Sequence, residues 1–386
     1  MTQAQAPTVS VLMPVRNEER SVAGAIRSVL EQSLQDLEVL VIDGQSDDGT
    51  VAAVRQVAAS DARVRLLVNP DRTIPQALNI GLRAARGRYV ARVDAHASIS
   101  TGYLERGAGE LDAEPDVAAV GGRRFGVGEG PTGRAVAAAL SSPFGVGNSI
   151  NHYAGEAQDT DHASFGVFRT DVVRSIGGWD ENLLVNEDVD LDHRIGLAGF
   201  RIRYDPQMEI YWQVRRSVRD LGRQYRRYGR GKAAMVRKNG RSAVRPRHLA
   251  APALVTWLGA SAVTAISGHP RVAAGMVAPY AVGLVGATAI TVRKGYGQTG
   301  LRPLPLMGAF GAMHLAWGLG FLEGYLLRLA PAAASSRDPR RATRADGSTA
   351  GSAGAAGAAG IGSAGAAGIG SAGIDSEPIE PVAPGQ

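Results

Sequence analysis

The sequence predicts an α/β domain with a mainly parallel sheet, followed by a membrane region of apolar helices and a tail of low complexity. Three observations carry this prediction. Short β-branched apolar runs alternate with segments of helical spacing through the first 240 residues or so. Charge-free apolar runs long enough to cross a bilayer occur only after residue 248. From residue 332 the text collapses to Gly, Ala and Ser, with Ala-Ala-Gly-Ile-Gly-Ser-Ala-Gly at 358–365 repeated at 366–373.

In chain order, 9–15 is an apolar strand interrupted by Pro14, and 22–30 has helical spacing. Residues 37–42 read as a second buried-type strand ending at Asp43, and 51–59 as a helix. The pattern repeats as a strand at 64–68, a helix at 74–85 and a strand at 89–93 that ends at Asp94. Strands and helices of this length, taken alternately, place helices on both faces of a parallel sheet. Ligands of such sheets bind beyond the carboxyl ends of the strands. Residues 16–18, Asp43 and Asp94 all fall there, so one pocket is expected.

The absence of cysteine excludes a disulfide scaffold, a Cys-ligated metal and a thiol nucleophile. The formal charge of +6 is unevenly spread: residues 215–247 hold 13 Lys/Arg against one acid, Asp220, so this belt carries +12 and the remainder −6. Three runs follow, at 249–267, 272–292 and 303–327. At about 1.5 Å per residue as helices they match a bilayer core of about 30 Å. The Lys/Arg bias puts everything up to Arg247 in the cytoplasm of a multi-pass protein of the inner or plasma membrane. The third run is the weakest span, with a re-entrant or interfacial course as its alternative. No N-terminal signal is evident, because the first seven residues are polar and the first apolar stretch is short. The implied organisation is an extension at 1–8, a catalytic domain at 9–214, a basic juxtamembrane segment at 215–248, a membrane region at 249–329 and a disordered tail at 332–386.

Four motifs carry chemistry. Asp43 opens the acidic turn 43–50, where it can accept from a base N–H or a ribose hydroxyl; Asp47 and Asp48 are better read as caps of the next helix. Asp94-Ala-His96 follows a strand, and alternate residues of extended chain point the same way, so both side chains can meet one ion, Mn²⁺ more readily than Mg²⁺. Asn186-Glu187-Asp188 supplies a carboxylate able to act as general base, with a solvated helix start as the alternative. Gln224, Arg227 and Tyr228 in the belt can hold a leaving diphosphate. The remaining arginines suit anionic membrane lipids, and nucleic acid is not expected as a partner because the belt runs directly into apolar helices.

Together, Met-Pro-Val-Arg-Asn-Glu-Glu at 13–19, the 41–50 turn, residues 69–79, Arg-Val-Asp-Ala-His at 92–96, 166–169, Gly-Gly-Trp-Asp at 177–180, Asn-Glu-Asp at 186–188 and 224–229 resemble the family 2 glycosyltransferases of GT-A fold. Within them the likeness is to membrane-anchored enzymes of succinoglycan-type exopolysaccharide synthesis. The resemblance implies an inverting transfer from a nucleotide-diphosphate sugar, usually a UDP-sugar, with a divalent cation as cofactor; the apolar runs and the basic belt, which would hold the site near the bilayer surface, make a hydroxyl of a polyprenyl-linked glycan the expected acceptor. Pro14, Arg16 and Glu18 would line the nucleotide pocket, Asp43 contact the base and Arg72 approach base or phosphate. Asp94 and His96 stand at the family's Asp-x-Asp metal motif, Asp188 at its catalytic base, and Gln224, Arg227 and Tyr228 at its Gln-x-x-Arg-Trp motif. His96 in place of an acid lowers the charge at the metal, and Tyr228 in place of Trp leaves processivity open. Other polysaccharide-assembly proteins are further expected partners. Two alternatives remain, a polyprenyl-phosphate sugar synthase and a nonenzymatic membrane scaffold with a nucleotide-binding fold.

Overall fold

The computed structural model describes residues 6–328; the expected tail at 332–386 lies outside the described residues. The chain runs through β1 (Val9–Val15), α1 (Val22–Leu30), β2 (Leu37–Asp43), α2 (Thr50–Ser60), β3 (Val64–Val68), α3 (Ile74–Ala84), β4 (Tyr89–Arg92), β5 (Ala97–Ile99) and α4 (Tyr103–Ala113). It continues with β6 (Val117–Val127), α5 (Gly130–Leu140), α6 (Pro143–Val146), β7 (Gln158–Asp159), β8 (Val167–Arg169), α7 (Thr170–Ser175), α8 (Glu187–Leu197) and β9 (Arg201–Gln213). Four long helices close it: α9 (Val218–Asn239), α10 (Arg247–Ile266), α11 (Pro270–Lys294) and α12 (Pro303–Leu326).

Sequence period fixes the layers. In β1 and β2, Val9, Val11, Met13, Val39 and Val41 pack on α1 and α2, while Leu12, Leu40 and Ile42 face Leu78, Leu82 and the Phe168–Trp179 side. A strand buried on both faces has no polar alternation to display, which is why these runs are continuously apolar. The sheet order is β3-β2-β1-β4-β8-β6-β9-β5, with β7 added beside β9. The four N-terminal strands pair in parallel, as expected. Beyond them β8 runs antiparallel between β4 and β6, so the sheet is mixed rather than parallel throughout. The three apolar runs all form helices long and apolar enough to cross a membrane, of 20, 25 and 24 residues.

The third of these helices is also part of the catalytic body. Leu306, Ala309, Phe310 and Met313 of α12 enter the main core beside Ala135–Leu140 of α5. Along α9 the two backbones touch: a Cβ on Gly229 would collide with the Trp317 carbonyl, one on Gly320 with the Arg226 carbonyl, and one on Gly324 would lie 3.0 Å from Arg230 Cα. Small residues permit this approach, as in membrane helix pairs. Glu323 sits in the seam and accepts from Arg226 Nε at 2.8 Å and Arg230 Nε at 2.9 Å. Much of the basic belt is thereby committed to protein partners rather than to lipid. Lys238 pairs with Asp180 and Asp190, Arg223 with Asp220, and Arg247 with Asp161. Other cations of the belt, Arg227 and Lys232, have no ion pair among the described residues.

Gly320→Ala is therefore expected to lower stability by about 1–3 kcal/mol, because the helices must part to admit one methyl group. Gly283→Ala, which has no atom within 4 Å of its added Cβ, should stay within about 0.5 kcal/mol. Thermal unfolding of both variants in the same detergent checks the contrast.

Candidate active site

The candidate residues lie on the loops beyond the carboxyl ends of β1, β2 and β4, which are held by hydrogen bonds among themselves, whereas a cavity of about 780 Å³ in the described residues lies elsewhere, between α3 and the 176–181 segment. Asp43, buried at the end of β2, accepts from Ser46 Oγ at 2.6 Å, and that same hydroxyl accepts from Asn17 N at 2.9 Å. Glu18 N donates to Thr50 Oγ1 at 2.7 Å. Asp48 accepts from Thr50 N at 3.0 Å, the capping role expected of it. Asn17, Gln45, Arg72, Phe165 and Asn186 all adopt left-handed backbone, φ between 51° and 63°. Non-glycine residues pay strain there, and such positions concentrate at binding sites. Pro14 is half-buried in β1 opposite Ile42. Arg16 turns inward with its Nε buried and unpaired among the described residues, whereas Arg72 is exposed and donates to Gln45 Oε1 at 2.6 Å.

Asp94 and His96 do not occupy extended chain. β4 stops at Arg92, and Ala97 N closes a turn onto the Asp94 carbonyl at 3.0 Å. Strand alternation therefore does not align the two side chains. They remain electrostatic neighbours: burial pushes the Asp94 carboxyl up, but Arg92 and His96 together hold it below its ordinary value. His96 is half-exposed, with Nδ1 3.4 Å from Glu18 Oε1.

Arg92 is the residue whose importance exceeds its place in the motif. Its Nε donates to Asp94 Oδ1 at 2.9 Å and its NH1 to Glu187 Oε1 at 3.0 Å, with only 12% of the side chain exposed. One buried guanidinium thus ties the strand-end acid to the Glu-Asp pair. Desolvation opposes its charge, and Asp94, Glu187 and Asp188 outweigh that cost. Burial and the Asp188 charge push Glu187 up. Asp188 moves the other way: burial raises its carboxyl, but His162 and Arg92 draw it below the ordinary range, so it is ionised at neutral pH. The left-handed Asn186 starts α8 here, and the helix N-terminus adds further positive potential.

His162 has no counterpart among the sequence candidates. Its Nδ1 meets Asp192 Oδ2 at 2.6 Å, and Asp192 stands one helical turn after Asp188, on the same face of α8. The four-residue spacing of the two aspartates was the available signal; the histidine, thirty positions away, gave none. Arg124 was missed as well. Its guanidinium lies 4.7 Å from the Trp212 ring and 5.6 Å from Phe165, and its charge reaches Asp94 and Asp188.

The expected diphosphate residues share one face of α9. Gln224 Nε2 donates to Tyr228 OH at 2.7 Å, and Arg227 lies 5.9 Å from the Tyr228 ring with its Nε buried and unpaired among the described residues. Asn186 Nδ2 reaches the Tyr228 carbonyl at 3.3 Å, which brings α9 against the loop that carries Asp188.

A parallel nucleotide-binding half-sheet, an antiparallel strand inserted beside it and acids gathered at the strand ends define the GT-A fold of nucleotide-sugar transferases. The chain belongs to glycosyl transferase family 2, whose family model matches residues 10–177. It is a glycosyltransferase. It is 30% identical over 328 residues to the succinoglycan biosynthesis protein ExoA of Rhizobium meliloti, covering 81% of this chain and 93% of that protein. It is 23% identical over 239 residues, 60% of this chain and 74% of the relative, to a dolichyl N-acetyl-α-D-glucosaminyl phosphate glucuronosyltransferase of Methanococcus voltae. Among solved structures, the mannosyltransferase PcManGT of Pyrobaculum calidifontis, in complex with GDP-Man and Mn²⁺, shares the fold at a TM-score of 0.58 and 24% identity, over 84% of this chain and 88% of that one.

Arg92→Met should cost about 3–5 kcal/mol of stability, since it strands two buried carboxylates. Adding Glu187→Gln should return part of the loss, with a coupling of about 0.5–3 kcal/mol in a double-mutant cycle read by thermal unfolding.

Proposed function

We propose that the protein transfers a sugar, with inversion, from a nucleotide-diphosphate donor, a UDP-sugar first among them, to a hydroxyl of a lipid-linked glycan in exopolysaccharide or cell-surface polysaccharide synthesis. The observation that carries this reading is the Arg92 bridge, which ties Asp94 to Glu187, the neighbour of Asp188. Pro14, Arg16, Glu18 and Asp43 line the nucleotide side, with Arg72 at its rim. Asp188, ionised and free of an ion pair of its own among the described residues, takes the proton of the attacking hydroxyl. Arg227, with its unpaired Nε, Gln224 and Tyr228 receive the departing diphosphate.

A divalent cation fits the donor set in part. Asp94 Oδ2 holds only a 3.4 Å contact with Arg92, and His96 Nε2 has no hydrogen bond among the described residues, so Asp94 Oδ2 is open to an ion and His96 Nε2 is open to one when the imidazole is neutral, a form that Glu18 and Asp94 disfavour. No group of three or more His, Cys, Asp or Glu side chains converges on one point among those residues. Asp94 and His96 would hold Mn²⁺ or Mg²⁺ as two protein ligands, with donor phosphate oxygens completing the shell. The ion would supply charge neutralisation at the leaving diphosphate.

The three long apolar helices and the lipid phosphate in the name of the Methanococcus relative support a membrane-bound acceptor. On this reading residues 9–214 form the catalytic domain on the cytoplasmic side of a multi-pass protein, 215–248 the basic segment and 249–329 the membrane region. A polyprenyl monophosphate acceptor is the competing chemistry. Such an acceptor is already an anion and needs no base.

Asp188→Asn separates the two. A loss of kcat of about 10²–10⁴ with donor binding retained is the expected result, and near-normal turnover would overturn the base assignment. Removing the charge beside Asp188 is a second test. His162→Gln should raise the Asp188 pKa, so the acid limb of the kcat/KM profile should move to higher pH. Thermal shift with UDP and GDP, with and without Mn²⁺, is expected to show a larger response when the metal is present.

A further inference from the structure

The face of α9 that carries Gln224 and Tyr228 continues one turn further to Lys232, since positions 224, 228 and 232 repeat at four residues. Lys232 is 5% exposed, and the hydrogen bond recorded for its ammonium is to the Met235 thioether at 3.4 Å. A buried ammonium without an oxygen acceptor is costly, because sulfur is a weak acceptor and the charge is desolvated. Burial and the nearby Arg247 push its pKa down to about 8, with Asp161 opposing them.

The cations around it share a single acid. Arg247 NH2 meets Asp161 Oδ2 at 2.7 Å, and Arg245 Nε approaches the same oxygen at 3.7 Å. Two arginines therefore share one carboxylate, and Lys232 lies within reach of the charges of all three, at the point where α10, the first helix long enough to enter a bilayer, begins. Beside this cluster stands a ring stack: His248 lies over Trp317 at 6.3 Å between centroids, and Trp317 over Phe321 at 5.5 Å. Charge excess on one side and stacked rings on the other suit an anion attached to an apolar chain.

We infer that Lys232, Arg245 and Arg247 form a second phosphate site, separate from the donor site at Gln224 to Tyr228, that takes the phosphate or diphosphate of a membrane lipid. Asp161 holds the two arginines in the absence of ligand and is displaced by it. The location of the site rests on the residues above, and the identity of its occupant rests on the lipid-linked acceptor proposed in the preceding section. Asp188 is among the charges acting on Lys232, and Asn186 touches α9 at Tyr228, so both phosphate sites lie near the loop that carries Asp188. A lipid phosphate held at Lys232 would present its attached sugar toward Asp188.

The test uses the full-length protein in nanodiscs of zwitterionic lipid, with a polyprenyl diphosphate as probe and inorganic pyrophosphate and phosphatidylglycerol as competitors. Lys232→Met should weaken binding at least tenfold, Lys232→Arg should stay within about threefold, and Asp161→Asn should tighten binding by freeing the arginines. The UDP thermal shift of all three variants should match the parent. Unchanged polyprenyl diphosphate affinity in Lys232→Met, or looser binding in Asp161→Asn, would overturn the site. Competition by inorganic pyrophosphate as strong as by the lipid would overturn its lipid specificity, and competition by phosphatidylglycerol at equal strength would overturn its assignment to the acceptor. Loss of the nucleotide response with lipid binding intact would support the pocket and count against the proposed reaction alone.

Discussion

A single buried guanidinium holds the reacting centre together. Arg92 leaves the end of β4 with too little solvent to be stable alone, and it is made stable by Asp94 on one side and Glu187 on the other. The arrangement constrains everything near it. Glu187 must be fixed at the start of α8, which requires the left-handed Asn186 and sets the direction of Asp188. Asp94 must turn back toward Arg92, which breaks the extended chain before His96. Desolvated carboxylates would ordinarily be pushed toward the neutral form. Here Arg92, His162 and Arg124 reverse that tendency at Asp188, while Glu187 absorbs the mutual repulsion of the acids.

The same logic of shared charge recurs along α9. Glu323 serves Arg226 and Arg230, and Asp161 serves Arg245 and Arg247. Each acid is shared between two cations, and Arg227 and Lys232 are left without an acid of their own among the described residues. Arginines expected on lipid phosphate instead fasten helices to each other, as Arg226 and Arg230 do at Glu323.

The sheet and its acids were legible in the sequence because each depends on local text. Val9–Val15, Val22–Leu30 and Val64–Val68 form as read, since continuous β-branched runs and helical spacing leave little choice. The strand-end positions of Asp43 and Asp94 followed from the same runs. What sequence could not supply was contact between distant segments. His162 reaches Asp192 across thirty residues, and Glu18 reaches His96 across the sheet. The antiparallel course of β8 also escaped, because a three-residue strand carries no period of its own. Apolarity suggested that the helix at 303–326 would lie in lipid; its glycines, read singly, did not disclose that they match glycine and carbonyl positions on α9.

That glycine seam makes α9 and α12 one mechanical piece. A helix within a bilayer adjusts its tilt to the hydrocarbon thickness around it, at a cost of fractions of a kcal/mol per Å of mismatch. With no side chains between the backbones to act as a cushion at Gly229 and Gly320, a change of tilt in α12 is passed to the helix that bears Gln224, Arg227, Tyr228 and Lys232. Where α12 spans a bilayer, the thickness of that bilayer then becomes a variable for the face of α9 that bears these residues, with the seam as a lever arm rather than a passive support.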